Sequence, residues 1–392
     1  MVVLNKLRIL IITNLYPPQV IGGYERQIAD CARQLHLRGH DVLVLTGNTE
    51  EYHSNCTTLE SEPEIRRCLE LWGEWTNIGP QRLSIEEMAI RTFNNRKTLA
   101  LVLKEFQPDV CLSGNIDFLG VELLEKVLAD NVPVAHYIMN EHPGYIPAVA
   151  PKTPLHEYVT CSNWIRDGLQ QKGYPVETAQ TIYPGAAVAD FYQAELPPRD
   201  RLNIVYASLL MPYKGADVLI EALCLLQAEG VEFSATFAGG TLIPEFAEEV
   251  KQFVESEGLQ NQIRFAGVLS RQELKELYRT QNVLVLPSRF QEPFSISLVE
   301  AMSAGLTIIA SNTGGSPEAV EHGKTGLIFE SENSLDLADG LCYLLKHPEE
   351  WETMTRQGQQ KALSNFSLTN TVDRLEIAMS KLVLRSKSLV LT

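Results

Sequence analysis

The feature that most constrains this chain is a strand, helix and strand pattern near its N-terminal end. Residues 7–13 form a nearly continuous apolar, β-branched run, typical of a strand buried on both faces of a parallel sheet. Residues 24–38 carry apolar side chains at helical spacing up to Gly39, and residues 41–46 form a second apolar run. This order is a βαβ unit, so it predicts the start of a doubly wound α/β domain.

The same pattern restarts in the second half of the chain, after Pro- and Gly-containing segments at 184–185 and 196–200. A chain of 392 residues is also long enough for two hydrophobic cores. We therefore predict an α/β fold with two Rossmann-like domains facing each other across a cleft. The expected bounds are 1–190 for the first domain, 197–365 for the second and 366–392 for a helical tail. Residues 48–97 receive no assignment.

Individual elements follow from the same patterns. Strands are expected at 110–113, 132–138, 158–161, 202–207, 233–238, 263–267 and 283–287. Helices are expected at 163–173, 216–226, 246–258 and 368–383, and Ser270 with Glu273 predicts a capping box at the start of a further helix.

Composition excludes several classes of protein. The net charge of −16 argues against a nucleic-acid binder, which needs clustered Lys and Arg to neutralise phosphates. The seven cysteines are odd in number and form no C-x-x-C pair, so we expect free thiols rather than disulfides or zinc. The N-terminal residues lack the organisation of a signal peptide, and the first apolar run is too short to span a bilayer. A cytoplasmic location is the expectation.

The most informative motif is the segment 292–305, which follows an expected strand and opens a helix. Ligands of an open parallel sheet bind outside the carboxyl ends of its strands, where helix N-termini attract anions. Glu292 lies in that loop and Glu300 about two turns along the helix, so one carboxylate can approach a sugar and the other a ribose. The alternative is a first-turn Glu that complements the helix dipole, with a second, exposed Glu.

Three other loops have the same strand-to-helix placement. Lys214 precedes a helix, where its ammonium could bind a diphosphate, or could simply be solvated. Gly22 and Gly23 could let backbone amides approach a phosphate closely, or could form a flexible turn. Residues 312–318 form a fourth such loop, for which an ordinary turn is the alternative.

Taken together, these motifs resemble the retaining glycosyltransferases of the B fold, family 4, the "glycosyl transferases group 1" type. The resemblance covers nearly the whole chain and lies in the order and spacing of its motifs. These are Gly22-Gly23-x-Glu25, Ile182-Tyr183-Pro184-Gly185, Lys214-Gly215, Leu286-Pro287-Ser288, Glu292 with Glu300 seven residues between, Gly314-Gly315-x-x-Glu318 and Gly326-Leu327.

The resemblance implies a hexose-type transfer with retention, from a nucleotide-diphosphate sugar such as a UDP- or GDP-sugar to an acceptor hydroxyl. It implies no bound metal or other cofactor. The donor would be held mainly by the C-terminal domain, with the helical tail packing back on the N-terminal one. Lys214 would bind the diphosphate, Glu292 the sugar and Glu300 the ribose, with Gly22 and Gly23 closing over the phosphates. Phe294, Ser295 and Ile296 complete the expected donor site.

Three departures from the family pattern concern the site. Leu209 stands where members usually carry an arginine, a second diphosphate contact. Met139-Asn140 stands where many carry a His-Asp pair, so His136, Asn140 and His142 are the candidates for the acceptor side. Ser295 stands where members often carry glycine.

Other readings stay open at this point. The same fold serves phosphorylases and sugar-nucleotide epimerases, which release of free nucleotide would distinguish. A catalytically silent homologue that binds a nucleotide or a partner protein is a second alternative, motivated by Leu209 and the missing histidine. Peripheral contact with the inner membrane face would need a basic and apolar patch on the N-terminal domain, which the acidic composition does not favour. The acceptor and the oligomeric state are not determined by the sequence.

Overall fold

A computed structural model describes residues 6–49, 52, 61–76, 79–289 and 291–390. The chain divides into two compact units. Unit 1 comprises Met1–Pro184 and Leu368–Thr392, and unit 2 comprises Gly185–Ser367. The division falls a few residues before the expected boundary at 190, because Val188 already packs in unit 2, where its carbonyl accepts a hydrogen bond from Ser303.

Unit 1 is built on a seven-stranded parallel sheet in the order β3-β2-β1-β6-β7-β8-β9. A separate antiparallel hairpin, β4-β5, lies in the region that received no assignment. The elements up to the end of the sheet are β1 (Arg8–Thr13), α1 (Gly23–Leu37), β2 (Asp41–Gly47), β3 (Glu64–Leu69), β4 (Gly73–Thr76), β5 (Gly79–Arg82), α2 (Ile85–Phe106), β6 (Val110–Ser113), α3 (Val121–Ala129), β7 (Val134–Ile138), β8 (His156–Thr160), α4 (Asn163–Gln171) and β9 (Gln180–Thr181).

Unit 2 has a six-stranded parallel sheet in the order β12-β11-β10-β13-β14-β15. This is the 3-2-1-4-5-6 order of a Rossmann-like domain, whose strand order reverses between β10 and β13. Its elements are α5 (Val188–Phe191), β10 (Leu202–Ala207), α6 (Ala216–Ala228), β11 (Phe233–Ala238), α7 (Pro244–Ser256), β12 (Ile263–Gly267), α8 (Arg271–Tyr278), β13 (Val283–Leu286), α9 (Ile296–Ser303), β14 (Thr307–Ser311), α10 (Ser316–Ala319), β15 (Gly326–Phe329), α11 (Ser334–Lys346) and α12 (Pro348–Asn365).

The last helix, α13 (Leu368–Val390), belongs to unit 1 and packs on α1 and β7. Polar contacts fix its position: Arg38 donates to Asp373 at 2.6 Å and to Glu376 at 2.8 Å. The Nε2 atom of His40 lies 3.0 Å from the other oxygen of Glu376. An apolar stripe on the same helix, including Leu375, is buried against the unit, since burying apolar surface is the main stabilising term in packing.

The central strands form because their apolar runs are buried on both faces, as the sequence predicts. Both sheets and both Rossmann-like units are therefore confirmed. The six described cysteines are free thiols, and Cys56 lies outside the described residues. Within the described part of the chain, no helix combines the length and apolarity needed to cross a membrane.

Candidate active site

The strand order of unit 2 reverses between β10 and β13, and the loops that follow these two strands carry the predicted donor-binding residues. A short 3-10 turn, Pro212–Lys214, follows β10, and Glu292 follows β13. Gly215, with φ of +69°, ends the turn, and a Cβ at this position would overlap the carbonyl oxygen of Pro287. The two loops can therefore touch only because residue 215 is glycine.

Lys214 and Glu292 meet directly in this crevice. The Lys214 ammonium forms an ion pair with the Glu292 carboxylate, and the two side chains are only 14% and 16% exposed. The ammonium also lies 5.6 Å from the centre of the Tyr213 ring. The structure thus brings together a cation and a carboxylate that lie 78 residues apart in sequence.

The backbone of Glu292 is fixed by the loop after β14. The Gly315 N–H donates to the Glu292 carbonyl at 2.8 Å. Gly314 has φ of +58°, and a Cβ there would overlap the Glu292 carbonyl and lie 2.6 Å from its nitrogen. The predicted glycine pair at 314–315 therefore positions Glu292.

The start of α9 is capped by a side chain that the sequence already singles out. The Ser295 hydroxyl accepts the Leu298 N–H at 3.4 Å. Phe294 is buried and packs on Phe366, with 5.3 Å between ring centres, and Ile296 is half-buried as the first helical residue. The side chains of Phe294 and Ser295 are therefore engaged inside unit 2, and Ser295 caps one amide of the first turn of α9.

Glu300 has a cationic partner that the sequence motifs do not reveal. Arg271 lies at the start of α8 and donates to the Glu300 carboxylate at 3.3 Å. Its guanidinium also lies 5.8 Å from the centre of the Phe191 ring. Burial and the nearby Glu300 charge raise the pKa of Tyr278 well above its ordinary value. The capping box at Ser270 and Glu273 is confirmed. Arg271 could have been singled out from the sequence, because it is the first helical residue after this cap.

Leu209 is half-buried, and its carbonyl accepts a hydrogen bond from the Tyr206 hydroxyl at 2.6 Å. Arg289 donates to the Pro212 carbonyl at 2.8 Å and holds Asp217 with two hydrogen bonds of 2.7 and 2.8 Å. The hydrogen bonds to Asp217, followed by the contact with Glu332, raise the pKa of Arg289. Arg289 thus fixes the turn that presents Lys214.

Gly22 and Gly23 lie at the start of α1 in unit 1, and both are exposed. Gly22 is extended, with φ of −147°, and a Cβ added to it would meet no atom within 4 Å. Its N–H donates to the Glu25 carboxylate at 3.0 Å, and burial raises the pKa of Glu25 to about 7. The fold itself therefore does not require glycine at position 22.

A polar cluster lies at the corresponding strand reversal of unit 1, between β1 and β6. One oxygen of Asp117 accepts from the Asn14 amide at 3.2 Å and from the Asn140 amide at 3.0 Å. These residues follow β1, β6 and β7, three neighbouring strands. Burial raises the pKa of Asp117 to about 6. Asp117 is not among the residues predicted from the sequence. Its position after a central strand could have indicated it, because ligands bind at the carboxyl ends of parallel strands.

His136 and His142, the other candidates for the acceptor side, occupy different environments. His136 is fully buried in β7, and its Nδ1 atom lies 3.0 Å from the Tyr145 hydroxyl. Burial and the neighbouring His156 lower its pKa well below the ordinary value. The structure therefore places His136 in the core of unit 1, away from solvent, whereas His142 is exposed close to Asn140 in sequence.

Two Rossmann-like units form the GT-B fold, and in this chain the second unit carries a lysine and two carboxylates at its strand reversal. Residues 189–361 match the protein family described as "Glycosyl transferases group 1". The match lies within unit 2, and this part of the chain is similar to the glycosyltransferases of that family.

Curated relatives agree with this assignment. The chain is 25% identical over 360 residues to a GDP-mannose-dependent alpha-(1-6)-phosphatidylinositol monomannoside mannosyltransferase of Mycobacterium tuberculosis, which covers 86% of this chain and 89% of that protein. It is 29% identical over 195 residues to spore coat protein SA of Bacillus subtilis, over 49% of this chain and 52% of that protein. The chain thus spans about half the length of the latter relative.

Solved structures show the same fold. A glycosyltransferase from Rickettsia africae superposes with a TM-score of 0.77 at 19% identity, over 97% of this chain and 99% of that one. HepE from Anabaena, in complex with UDP and glucose, superposes with a TM-score of 0.73 at 20% identity, over 95% and 99% of the two chains. At this identity the likeness concerns the fold alone.

Proposed function

We propose that this glycosyltransferase transfers a hexose-type sugar from a UDP- or GDP-sugar to an acceptor hydroxyl, with retention of configuration and without a metal ion. The observation that carries the proposal is the ion pair of Lys214 with Glu292 at the strand reversal of unit 2. The pair supplies a cation for a diphosphate and a carboxylate for sugar hydroxyls at one point.

The choice of donor draws on what similar proteins bind. HepE was solved with UDP and glucose, and the mycobacterial relative is named as GDP-mannose-dependent. In this chain, Glu300 would accept hydrogen bonds from the ribose hydroxyls, with Arg271 orienting its carboxylate. These contacts would bind the ribose and not the base, so both UDP and GDP are included in the first experiment.

In the proposed reaction the bond between the sugar C1 and the diphosphate oxygen breaks, and its electron pair leaves with the diphosphate. Lys214 and the first-turn amides of α9 stabilise the charge that develops on that oxygen. The acceptor oxygen bonds to C1 on the face that the diphosphate leaves, and its proton passes to the leaving diphosphate. Since these protein groups supply the positive charge, we propose that no metal is needed.

On the acceptor side, we propose that Asp117 and Asn140 bind acceptor hydroxyls. A carboxylate held by two amides is oriented in advance, and its second oxygen can accept from a hydroxyl group. Exposed His142 is a further candidate contact. His136 has no exposed surface, so we do not include it.

The first experiment compares ligand-induced melting shifts for UDP, GDP and ADP, since a ligand that binds only the folded state raises the melting temperature. Donor hydrolysis is then measured for UDP-glucose and GDP-mannose. We expect Lys214→Ala and Glu292→Gln each to lower turnover about 100-fold or more, as loss of one preorganised charge contact typically does. The matched control is the exposed pair Lys251 and Glu248, whose substitution by Ala and Gln should leave turnover unchanged. Equal effects at both pairs would refute the assignment.

Two measurements address the finer claims. Turnover in EDTA should equal turnover in buffer alone, and a loss restored by Mg²⁺ or Mn²⁺ would overturn metal independence. The anomeric configuration of the first-formed product, read by NMR, should equal that of the donor. Inversion, or a glycosyl-enzyme trapped in mass spectrometry, would refute front-face transfer.

A second candidate is a nucleotide-binding homologue without transferase activity, which Leu209 favours because an apolar side chain replaces an expected diphosphate contact. Selective nucleotide binding, lost in Glu300→Ala, without turnover of either donor would identify it. Sugar-nucleotide interconversion without release of free nucleotide would instead indicate an epimerase, and sugar release that depends on added phosphate a phosphorylase.

A further inference from the structure

A pocket of about 600 Å³ opens in unit 1 at the carboxyl ends of β2 and β3. Asn48 and Thr49, which follow β2, form one side of the pocket, and Arg82 of the hairpin β4-β5 lines another. Because the strands of this sheet are parallel, the pocket lies on the same edge of the sheet as Asp117, which follows β6. Its volume falls in the range of small-molecule binding sites, about 300 to 1,000 Å³.

Two observations place the hairpin β4-β5 next to Asp117. The Trp75 ring of β4 packs edge-on against Phe118, the residue after Asp117, with 4.4 Å between ring centres. Burial raises the pKa of Asp117 to about 6, and the charge of Arg82 is one of the influences that oppose this rise. A ligand bound at Asp117 therefore lies within the electrostatic reach of Arg82.

Three arginines from three different elements line this pocket: Arg67 of β3, Arg82 of β5 and Arg91 of α2. In the part of the chain that the structure describes, none of them forms an ion pair with a carboxylate. Arg66, the neighbour of Arg67 in sequence, is by contrast paired with Glu64 and Glu105 outside the pocket. The pocket thus collects cations that have no carboxylate partner among the described residues.

Two of these arginines are half-buried and are held by neutral groups. Arg67 donates to the Tyr16 carbonyl at 2.9 Å and to the Pro17 carbonyl, and Arg91 donates to the Leu71 carbonyl. Burial lowers the pKa of Arg67, because the surrounding protein replaces water around its charge. A cation in this condition attracts an anion more strongly than a fully solvated one does.

The acids beside the pocket do not cancel this charge. Glu70 and Glu74 also line it, but both are exposed to water, which screens their charges. The Glu70 carboxylate in addition accepts hydrogen bonds from the Asn94 amide at 3.2 and 3.3 Å. Three cations and two acids leave the pocket electropositive, in a chain whose net charge is −16.

We propose that this pocket binds a phosphate or carboxylate group of the acceptor, so that the acceptor is an acidic sugar with a hydroxyl group at Asp117. The inference rests on the proposed function, since it names the substrate class of the same acceptor side. A guanidinium presents a planar pair of N–H groups that fits two oxygens of either anion. The amides of Asn48 and Gln81, which also line the pocket, can bind further hydroxyls of the sugar.

The test compares acidic and neutral sugars by their effect on the melting temperature of the full chain. Glucose 6-phosphate, mannose 6-phosphate and glucuronic acid are compared with methyl glucoside and methyl mannoside, each alone and with UDP or GDP, so that an ordered binding sequence does not hide a response. We expect at least one acidic sugar to stabilise the chain more than the neutral ones do, by a shift that decreases with added salt. The phosphate and carboxylate arms identify the anion.

Arg82→Gln and Arg91→Gln should each raise the Kd for that acidic sugar about tenfold, as loss of a hydrogen bond to a charged group does. Arg82 is exposed, so its variant should melt like the original chain, which is checked first. The matched control is Arg96→Gln, since Arg96 is also an exposed arginine of unit 1 but does not line this pocket. Its Kd should equal that of the original chain.

Three results would overturn the proposal. The acidic sugars could stabilise the chain no more than the neutral ones, inorganic phosphate alone could give the same shift as the hexose phosphates, or Arg96→Gln could weaken binding as much as Arg82→Gln. The first result denies an anion site, the second denies recognition of a sugar, and the third denies a role for this pocket.

Donor hydrolysis separates this inference from the proposed function. Arg82→Gln should hydrolyse the donor at the original rate, because Lys214 and Glu292 lie in unit 2. Transfer to a neutral hexoside as efficient as transfer to the acidic sugars, and unaffected by Arg82→Gln, would overturn the inference and leave the proposed function standing. Absence of any donor turnover would instead refute the proposed function, and the melting shifts would still decide whether the pocket binds acidic sugars.

Discussion

Replacing His156 by Phe should stabilise unit 1 and make it less sensitive to acid. His156 is 8% exposed, and neither of its ring nitrogens has a hydrogen-bond partner among the described residues. Its ring packs edge-on against Tyr158, with 4.5 Å between ring centres, and lies 5.9 Å from His136. Phenylalanine keeps the ring shape and removes two unsatisfied polar atoms, so the variant should gain about 1 kcal/mol or more at pH 7.

The pH dependence gives a second, independent magnitude. Burial lowers the pKa of His156 from 6.5 to about 3. Between these values the unfolded chain binds a proton that the folded chain does not, so stability is lost as pH falls below 6.5. From pH 7 to pH 5 this loss amounts to about 2 kcal/mol, at about 1.4 kcal/mol per pH unit. His156→Phe should remove this part of the loss, while buried His136, whose pKa is also lowered, keeps its own contribution.

Thermal melting at pH 7 and pH 5 measures both effects, and Trp72, Trp75 and Trp164 report on unit 1 by fluorescence. For a unit of about 200 residues, 2 kcal/mol corresponds to about 4 to 8 °C. The control, His347→Gln, changes an exposed histidine of unit 2 and should keep the original pH dependence. The same downward shift between pH 7 and pH 5 in the original chain and in His156→Phe would refute the reasoning. Unchanged donor turnover in the variant would support a structural role for the cluster that includes His136.

Three further predictions concern the site. Gly22→Ala should melt within about 2 °C of the original chain, since its Cβ meets no protein atom. Its donor turnover should fall at least about tenfold, because Gly22 is a predicted phosphate contact, and normal donor kinetics would contradict that role. Gly314→Ala should destabilise unit 2 by about 2 kcal/mol and lower donor hydrolysis about 100-fold, because its Cβ would overlap the Glu292 carbonyl and displace Glu292. An unaltered melting curve would contradict this overlap. With a methyl hexoside as acceptor probe, kcat/KM should decrease as the pH is lowered below about 6, because Asp117 takes up a proton. In Asp117→Asn this acidic decrease of kcat/KM should be absent, while the rate of donor hydrolysis stays unchanged.

The sequence predicts the interior of the fold well because buried parallel strands leave an unambiguous pattern. The strands at Val110–Ser113, Leu202–Ala207 and Phe233–Ala238 have the predicted bounds. β3 is missed because it is an edge strand whose sequence, EIRRCL, has no regular alternation of charged and apolar side chains and is mostly only partly buried. The hairpin β4-β5 is missed for a similar reason, since its short strands bury little.

The candidate site is predictable where a residue's role follows from its own loop. Lys214 and Glu292 each stand after a strand, and the reversal of strand order then brings them together. Partners that come from other elements are not predictable in this way: Arg271 reaches Glu300 from α8, and Asp117 needs Asn14 and Asn140. The burial of His136 likewise depends on β8, whose His156 and Tyr158 pack beside it.

The position of α13 also sets the order in which the chain can fold. Unit 2 is one continuous stretch, Gly185–Ser367, whereas unit 1 needs both ends of the chain. The ribosome synthesises α13 after all of unit 2, so unit 2 can complete its core while unit 1 still lacks the helix that packs on α1. Until α13 is synthesised, the surface that packs against Leu375 is exposed to water, and Arg38 and His40 lack their contacts with the carboxylate of Glu376. The N-terminal half of the sequence is therefore synthesised first, but the unit that it forms completes its folding last.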